Sequence, residues 1–412
     1  NALPNSSFEC GGAGWGCWAP GMPGWGAQVF RRLGEWDTER GFDGGSSWKL
    51  SLSADEPEMV YFDYYDPVEA PIRALLLGHE GWVPVERGQS YVFSAYVMAD
   101  RAELPVRMVI WEAGGPRHER TLIASTQWQR VQLAFAARAD FACGFVGLDL
   151  READRPEGTV WLDALQFEQG TEATPYLPRS ELGTRIETDR AGNIFTDPDQ
   201  GLTVRLRAYN ATDRELRAGG RLTITDYVDR TVWDGTPEIA LGPGQSGELE
   251  YAGLLAGRRG FFRVRWEPRD GLPQELRCAV IEPSEEQDSR FGMNHAFCSE
   301  FLLRLAHLAG VRWWRDWSVK WETVQPKPDG FDFSIPDAQI DRVLDAEGQV
   351  LVLFPFPSAL WAATPDQQML AEAAGDNAYL KQRLPTSLKP DRLEDFAAYI
   401  RAGVEHYRDR IN

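Results

Sequence analysis

Aromatic side chains are the first chemically suggestive feature of this 412-residue chain: 16 Trp, 12 Tyr and 20 Phe make up 12% of it. Flat rings are what sugar faces stack on, and they are also large fillers of β-sandwich cores. Trp15, Trp18 and Trp25 crowd into one Gly-rich stretch. They are candidate carbohydrate contacts if exposed, and packing residues if the Gly-Trp turns tuck the rings inward. Five cysteines cannot all pair. Cys10 and Cys17 flank the loop ECGGAGWGC and would close a small disulfide in an oxidising compartment. Cys143, Cys278 and Cys298 lie in apolar contexts that suit buried thiols better than metal ligands.

The charge balance narrows the partners. With 43 Lys+Arg against 62 Asp+Glu the formal charge is −19, a field that repels phosphate backbones and anionic membranes. Nucleic acid and membrane surfaces are therefore not expected. No stretch approaches the roughly 18 consecutive apolar residues of a membrane span, and no signal peptide is visible. A start at Asn1 rather than Met fits a mature protein whose export signal has been removed, or a trimmed chain.

The elements that must position these residues divide the chain in three. Residues 1–177 read as all-β, with short alternating runs such as Tyr91 to Ala99, Val131 to Phe135 and Thr159 to Phe167 between Gly, Pro, Asp and Asn clusters. GTEATPYLPRS, from Gly170 to Ser180, breaks the pattern and marks a boundary. Residues 181–283 continue in strands: Leu202, Val204, Leu206 and Ala208 share one face against Thr203, Arg205 and Arg207. Leu222 to Tyr227 and Phe262 to Trp266 repeat this around a turn at 241–247, which predicts a second sandwich of immunoglobulin-like size.

After Arg290 the period changes from two to about 3.6, the signature of βαβ units. Strands are predicted at Phe291 to His295, Val311 to Trp314 and Gln349 to Phe354, the last apolar throughout as if buried on both faces. Helices carry Phe301, Leu302, Leu305 and Leu308 up to Gly310, then Ile340, Val343 and Leu344 up to Gly348. A third begins at a capping box of Asp391 and Glu394 and presents Leu393, Phe396, Ile400 and Val404.

Residues 291–412 resemble the opening of retaining clan A glycoside hydrolases, which are (β/α)8 TIM barrels. The resemblance rests on FGMNHA at 291–296, GVRWWRDWSVKWETVQPKPDGFDFS at 310–334, GQVLVLFPFPSALWA at 348–362 and EDFAAYIRAGVEHYRDRI at 394–411. The opening NALPNSSFECGGAGWG with WLDALQFEQG at 161–170 resembles the jelly-roll carbohydrate-binding modules attached to such enzymes. Together they imply a multidomain fold: a jelly roll over 1–177, an immunoglobulin-like sandwich over 181–283 and the first three βα units of an incomplete barrel over 291–412.

The resemblance also implies roles. Jelly-roll modules of this type often hold a structural calcium, here through Glu9 and Asp163, and a hard cation favours such oxygen ligands. Retaining glycosidases need two carboxyl groups roughly 5 to 5.5 Å apart; in clan A they stand after strands four and seven, which places the catalytic pair beyond Asn412. The implied sugar contacts are His295 at the end of strand one, Arg315 and Asp316 after strand two, and the aromatics Trp317, Trp321, Phe356 and Trp361. Arg315 corresponds to the residue that supports the nucleophile.

The expected function is a secreted or extracytoplasmic glycoside hydrolase acting on a polysaccharide or oligosaccharide, with no cofactor for catalysis. As given, the chain is expected to be inactive for want of the carboxylate pair. The alternative is a non-catalytic carbohydrate-binding or scaffold protein. A second chain or segment completing the barrel is a further expected partner, because an open half-barrel exposes strand edges and apolar faces.

Overall fold

The computed structural model describes residues 1–20, 34–54, 59–62, 68–294, 300–316, 319–355, 358–375 and 389–411. The chain forms two compact units, residues 1–60 with 70–281, and residues 61–69 with 282–412. Among the described residues no helix is long and apolar enough to cross a membrane.

The first unit contains two pairs of sheets. In the first pair, one sheet runs in the spatial order Trp15–Trp18, Ala74–His79, Phe141–Asp149, Leu104–Glu112, Arg117–Ala124, with neighbours antiparallel. The other runs Gln129–Ala136, Ser90–Ala99, Gly158–Gln169, Ser47–Leu52, Glu35–Asp37. Alternation aims Leu75, Leu77, Val106, Met108, Ile110, Val146 and Leu148 from the first sheet, and Leu50, Phe93, Val97, Leu162 and Phe167 from the second, into one core. The strand Gly158–Gln169 bulges between Asp163 and Gln166, with Ala164 at φ 49. An inserted residue bends a strand and re-aims its side chains.

The second pair sets the sheet Leu182–Glu187, Leu202–Asn210, Ser246–Leu254 against Ile194–Phe195, Gln274–Val280, Gly260–Pro268, Leu216–Asp226, Thr231–Gly235. Leu202, Val204, Leu206 and Ala208 are all buried, as the alternation predicts. Fully buried Trp266 anchors this core and donates its indole N–H to Thr184 Oγ1 at 3.1 Å. The outward side of Leu202–Asn210 carries a ladder of Arg205 and Arg207 with Glu187, Glu248 and Glu250.

In the second unit the strands Gly292–Asn294, Trp313–Asp316 and Gln349–Val352 lie side by side and parallel. Among the described residues the α-helices are Glu300–Leu308, Trp321–Val324, Ser334–Asp345, Pro365–Ala373 and Leu393–Tyr407. Trp314 and Val350 are buried in one cluster with Ile340 and Val343 of the helix Ser334–Asp345.

Several local expectations are corrected here. The second strand begins two residues later than its apolar run suggested, at Trp313. The third strand is not buried on both faces, because Leu351 is 51% exposed while Val350 is 2% exposed. The left-handed residue ending Ser334–Asp345 is Glu347, φ 59, rather than Gly348. Gly348 is required by contact instead: a Cβ there would meet Val343 Cγ1 at 2.7 Å and Trp314 Cδ1 at 2.9 Å. The last helix is capped by Arg392 without a side-chain hydrogen bond, so Asp391 and Glu394 form no capping box. Helix Pro365–Ala373 went unpredicted although Thr364 caps it by accepting the Gln367 N–H and Pro365 fills its first turn.

Candidate functional site

The outward face of the first sheet is unusual for a solvent-facing surface. The strand Leu104–Glu112, LPVRMVIWE, turns Val106, Met108 and Ile110 inward, which leaves Arg107, Val109 and Trp111 outward. On that side Trp18, Leu76 and Val109 form a small apolar cluster with Trp111 and Phe145 packed against it. Three rings, steeply inclined to one another, make a ridged tray: Trp18 and Trp111 are 4.6 Å apart at 55°, Trp18 and Phe145 5.3 Å at 57°, and Trp111 and Phe145 5.4 Å at 68°. Gly78 makes room for it, since a Cβ there would meet Phe145 Cδ1 at 2.4 Å.

Polar groups border the rings. Arg117 holds its guanidinium 5.2 Å from the Trp18 ring centre and 4.6 Å from that of Trp111. Arg107 pairs with Glu119 and, at 2.9 Å, with Asp149, and Arg151 closes on Asp149 at 2.6 Å. The indole nitrogens of Trp18 and Trp111 are buried and have no hydrogen-bond partner.

A second polar site sits where the loop after Glu35–Asp37 folds back. Glu9 accepts the backbone N–H groups of Gly45 and Ser46 at 2.9 and 2.8 Å. Asp163, at the bulge, accepts those of Phe42, Asp43 and Ala164 at 2.6, 2.9 and 2.5 Å. Asp163 is fully buried and Glu9 is 9% exposed. Burial pushes the pKa of Asp163 well above the usual carboxylate range and that of Glu9 up as well, and the nearby Asp43 carboxylate adds to both shifts. Backbone donors oppose the shift without cancelling it. Gly44 closes the loop with φ +94, and a Cβ there would lie 2.4 Å from Glu9 Oε1. Among the described residues no group of three or more His, Cys, Asp or Glu side chains forms a metal cluster. The donor set here is two buried carboxylates with a third, Asp43, in their field, a set that suits a hard oxygen-seeking cation.

The residues expected to contact sugar in the last unit are dispersed. His295, Trp317 and Phe356 lie outside the described residues, as does Trp25. Arg315 and Asp316 end the middle strand. Arg315 is in register with Asn294 and Leu351, and its Nη1 donates to Asn294 Oδ1 at 3.2 Å. Trp314 and Val350, the neighbouring pair, are the ones buried against the helix, so Arg315 belongs to the opposite face of the sheet. Trp321 is corrected from sugar contact to core: it is fully buried, stacks on Tyr399 at 5.5 Å and donates to Gln325 Oε1 at 2.8 Å. Trp361 is half-buried, donates its indole N–H to the Gln325 carbonyl at 2.8 Å and carries Arg392 at 5.0 Å from its ring centre.

Nor do the N-terminal candidates behave alike. Trp15 is fully buried and donates to the Asn5 carbonyl at 2.9 Å, while Trp18, three residues on, is 8% exposed and belongs to the tray. Cys10 and Cys17 are separate thiols, not a disulfide; Cys143 and Cys278 are thiols too, as expected.

No family model matches the chain, and no curated protein does. Among solved structures, it is similar to a family 16 carbohydrate-binding module at 15% identity, covering 41% of this chain and 99% of that one with a TM-score of 0.26. It is similar to TmCBM61, solved with β-1,4-galactotriose, at 10% identity, with 41% and 99% covered and a TM-score of 0.27. It is also similar to a β-glucuronidase of Bacteroides uniformis at 11% identity, with 91% of this chain and 45% of the enzyme covered and a TM-score of 0.26.

Proposed function

We propose that this is a carbohydrate-active protein whose first module, residues 1–177, holds a glycan on the Trp18, Trp111 and Phe145 tray. The tray itself carries the reading: aromatic rings supply the apolar contact a pyranose ring needs, and the bordering Arg117 and Arg107 supply the polar one. A sandwich over residues 181–283 links it to residues 291–412, read as the opening of a retaining glycosidase barrel. Parallel strand order and the position of Arg315 on the face away from the packed helix support that assignment. In it Arg315 orients the nucleophile, and His295, Asp316, Trp317, Phe356 and Trp361 border the sugar. A polymeric substrate places the protein outside the cytoplasm.

Glu9 and Asp163 would hold a structural calcium, with Asp43 adding negative charge. The ion would supply the positive charge that these buried carboxylates lack, and fix the loop from Gly41 to Ser46.

Affinity electrophoresis through gels cast with soluble polysaccharides tests the glycan reading. Retardation that Trp111→Ala removes supports it, and unretarded migration in every gel overturns it.

A further inference from the structure

From the same tray, and resting on the reading of it as a glycan-binding face, we infer that the glycan it takes is anionic: a sugar bearing a carboxylate, with Arg117 as the group that binds that carboxylate.

The first observation is where Arg117 lies. Its guanidinium covers the two ring faces a neutral pyranose would stack on, at 5.2 Å from Trp18 and 4.6 Å from Trp111. A neutral sugar must displace it and lose the attraction between cation and ring. A uronate that displaces it from the ring faces keeps it as the partner of its carboxylate, because a planar fork of five donors matches a carboxylate.

The second observation is how the local charges are satisfied. Arg107 and Arg151 neutralise Glu119 and Asp149 through close contacts. Glu152 adds a negative charge on the Asp149 side. Among the described residues Arg117 reaches only Glu119 Oε1, at 3.5 Å, and its side chain is 47% exposed. That carboxylate is already held by Arg107 through its other oxygen. Arg117 is thus the least satisfied cation of the group, held in place from below by aromatic rings and open above.

The overall charge of −19 opposes a polyanion at long range. At physiological ionic strength that repulsion is screened beyond about 8 Å, while a contact pair in a half-buried patch is screened much less.

The test uses the full chain in about 0.15 M salt, the ionic strength of the screening argument. Affinity gels and calorimetry compare polygalacturonate and alginate with methyl-esterified polygalacturonate, the first backbone without its charge. Retention by a uronate polymer and not by the ester is expected. Arg117→Ala should weaken it about 10- to 100-fold, the loss of one charged hydrogen-bonded pair, and Arg117→Lys should restore part of it. Near-ultraviolet circular dichroism verifies that both variants keep the tryptophan packing. Equal retention by acid and ester, or undiminished uronate binding by Arg117→Ala, overturns the assignment of charge. If a neutral glycan binds, and Trp111→Ala abolishes that binding while Arg117→Ala strengthens it, the tray stands and only the anionic ligand falls. No retention by any glycan brings down both.

Discussion

Arg117 stands directly across the hairpin from Trp111 in the register of the two strands, and its guanidinium lies 4.6 Å from the centre of that ring. Cross-strand neighbours on one sheet face are close enough to interact. This pair couples the charged and aromatic parts of the tray, so the two can be separated by substitution.

Removing a ring should therefore cost recognition before it costs fold. Trp111 is half-buried, and Trp111→Ala is expected to weaken glycan binding by at least about 10-fold, about 1.4 kcal/mol, with a small change in melting temperature. Trp18, 8% exposed, should lose both binding and about 2–4 kcal/mol of stability on truncation. Thermal unfolding and affinity gels on the two variants check this. If Trp111→Ala leaves every retention unchanged, the rings are packing alone.

The buried carboxylates predict a pH dependence with a definite sign. Burial raises the pKa values of Glu9 and Asp163 above those of the unfolded chain, so the folded state binds more protons than the unfolded state between the two. Stability in excess chelator should then fall as pH rises from about 4, where unfolded carboxylates ionise. Calcium should reverse this, stabilising more as pH rises because it binds the ionised pair. Melting curves from pH 4 to 8 with calcium or chelator decide it, and coincident curves at every pH remove the cation. Gly44→Ala should erase any calcium effect, since left-handed backbone and the 2.4 Å approach to Glu9 Oε1 both forbid the new methyl group.

Thiol chemistry offers an independent check on the first module. Burial pushes the Cys10 thiol up to about 12, so at pH 8 it is protonated and shielded. Native protein should react slowly with iodoacetamide at Cys10, and protein denatured without reductant should label at both Cys10 and Cys17. A peptide joining the two by a disulfide in the non-reduced digest would contradict the structure.

Sequence periodicity made the sandwich strands and the parallel order legible, because alternation and the change to a period of 3.6 follow directly from which faces are buried. The strand Leu202–Asn210 appears with its expected face inward. Single rings were less legible. Trp15 and Trp18 lie three apart in one strand and so face opposite sides of the sheet, one into the core and one into the tray. Trp111 and Arg117 face each other across one hairpin, but the group is not evident from sequence because they meet Phe145 and Trp18 only through the pairing of strands distant in sequence. A signal existed all the same: LPVRMVIWE has Val and Trp on the face opposite its inward Val, Met and Ile, too apolar for bare solvent. The motif around Trp321 sits near a predicted strand end and so points to a sugar contact. Its burial against Tyr399 depends on a helix some seventy residues further along the chain.

The last prediction separates packing from chemistry in the second unit. Trp321 is fully enclosed by Tyr399, Phe396 and Trp361, so Trp321→Ala should cost about 3–5 kcal/mol, the range for a large buried aromatic. Arg315 is exposed and, among the described residues, makes one side-chain hydrogen bond, to Asn294. Arg315→Ala should change stability by no more than about 0.5 kcal/mol, as exposed substitutions usually do. In any form of the protein that hydrolyses a glycan, Arg315→Ala should lower kcat far more than it raises KM, because a group that orients the nucleophile acts in the transition state and not on the bound sugar. Denaturant unfolding and steady-state kinetics on the same two variants provide the comparison. A large stability loss in Arg315→Ala, or a rise in KM at constant kcat, would assign Arg315 to packing or to sugar binding instead.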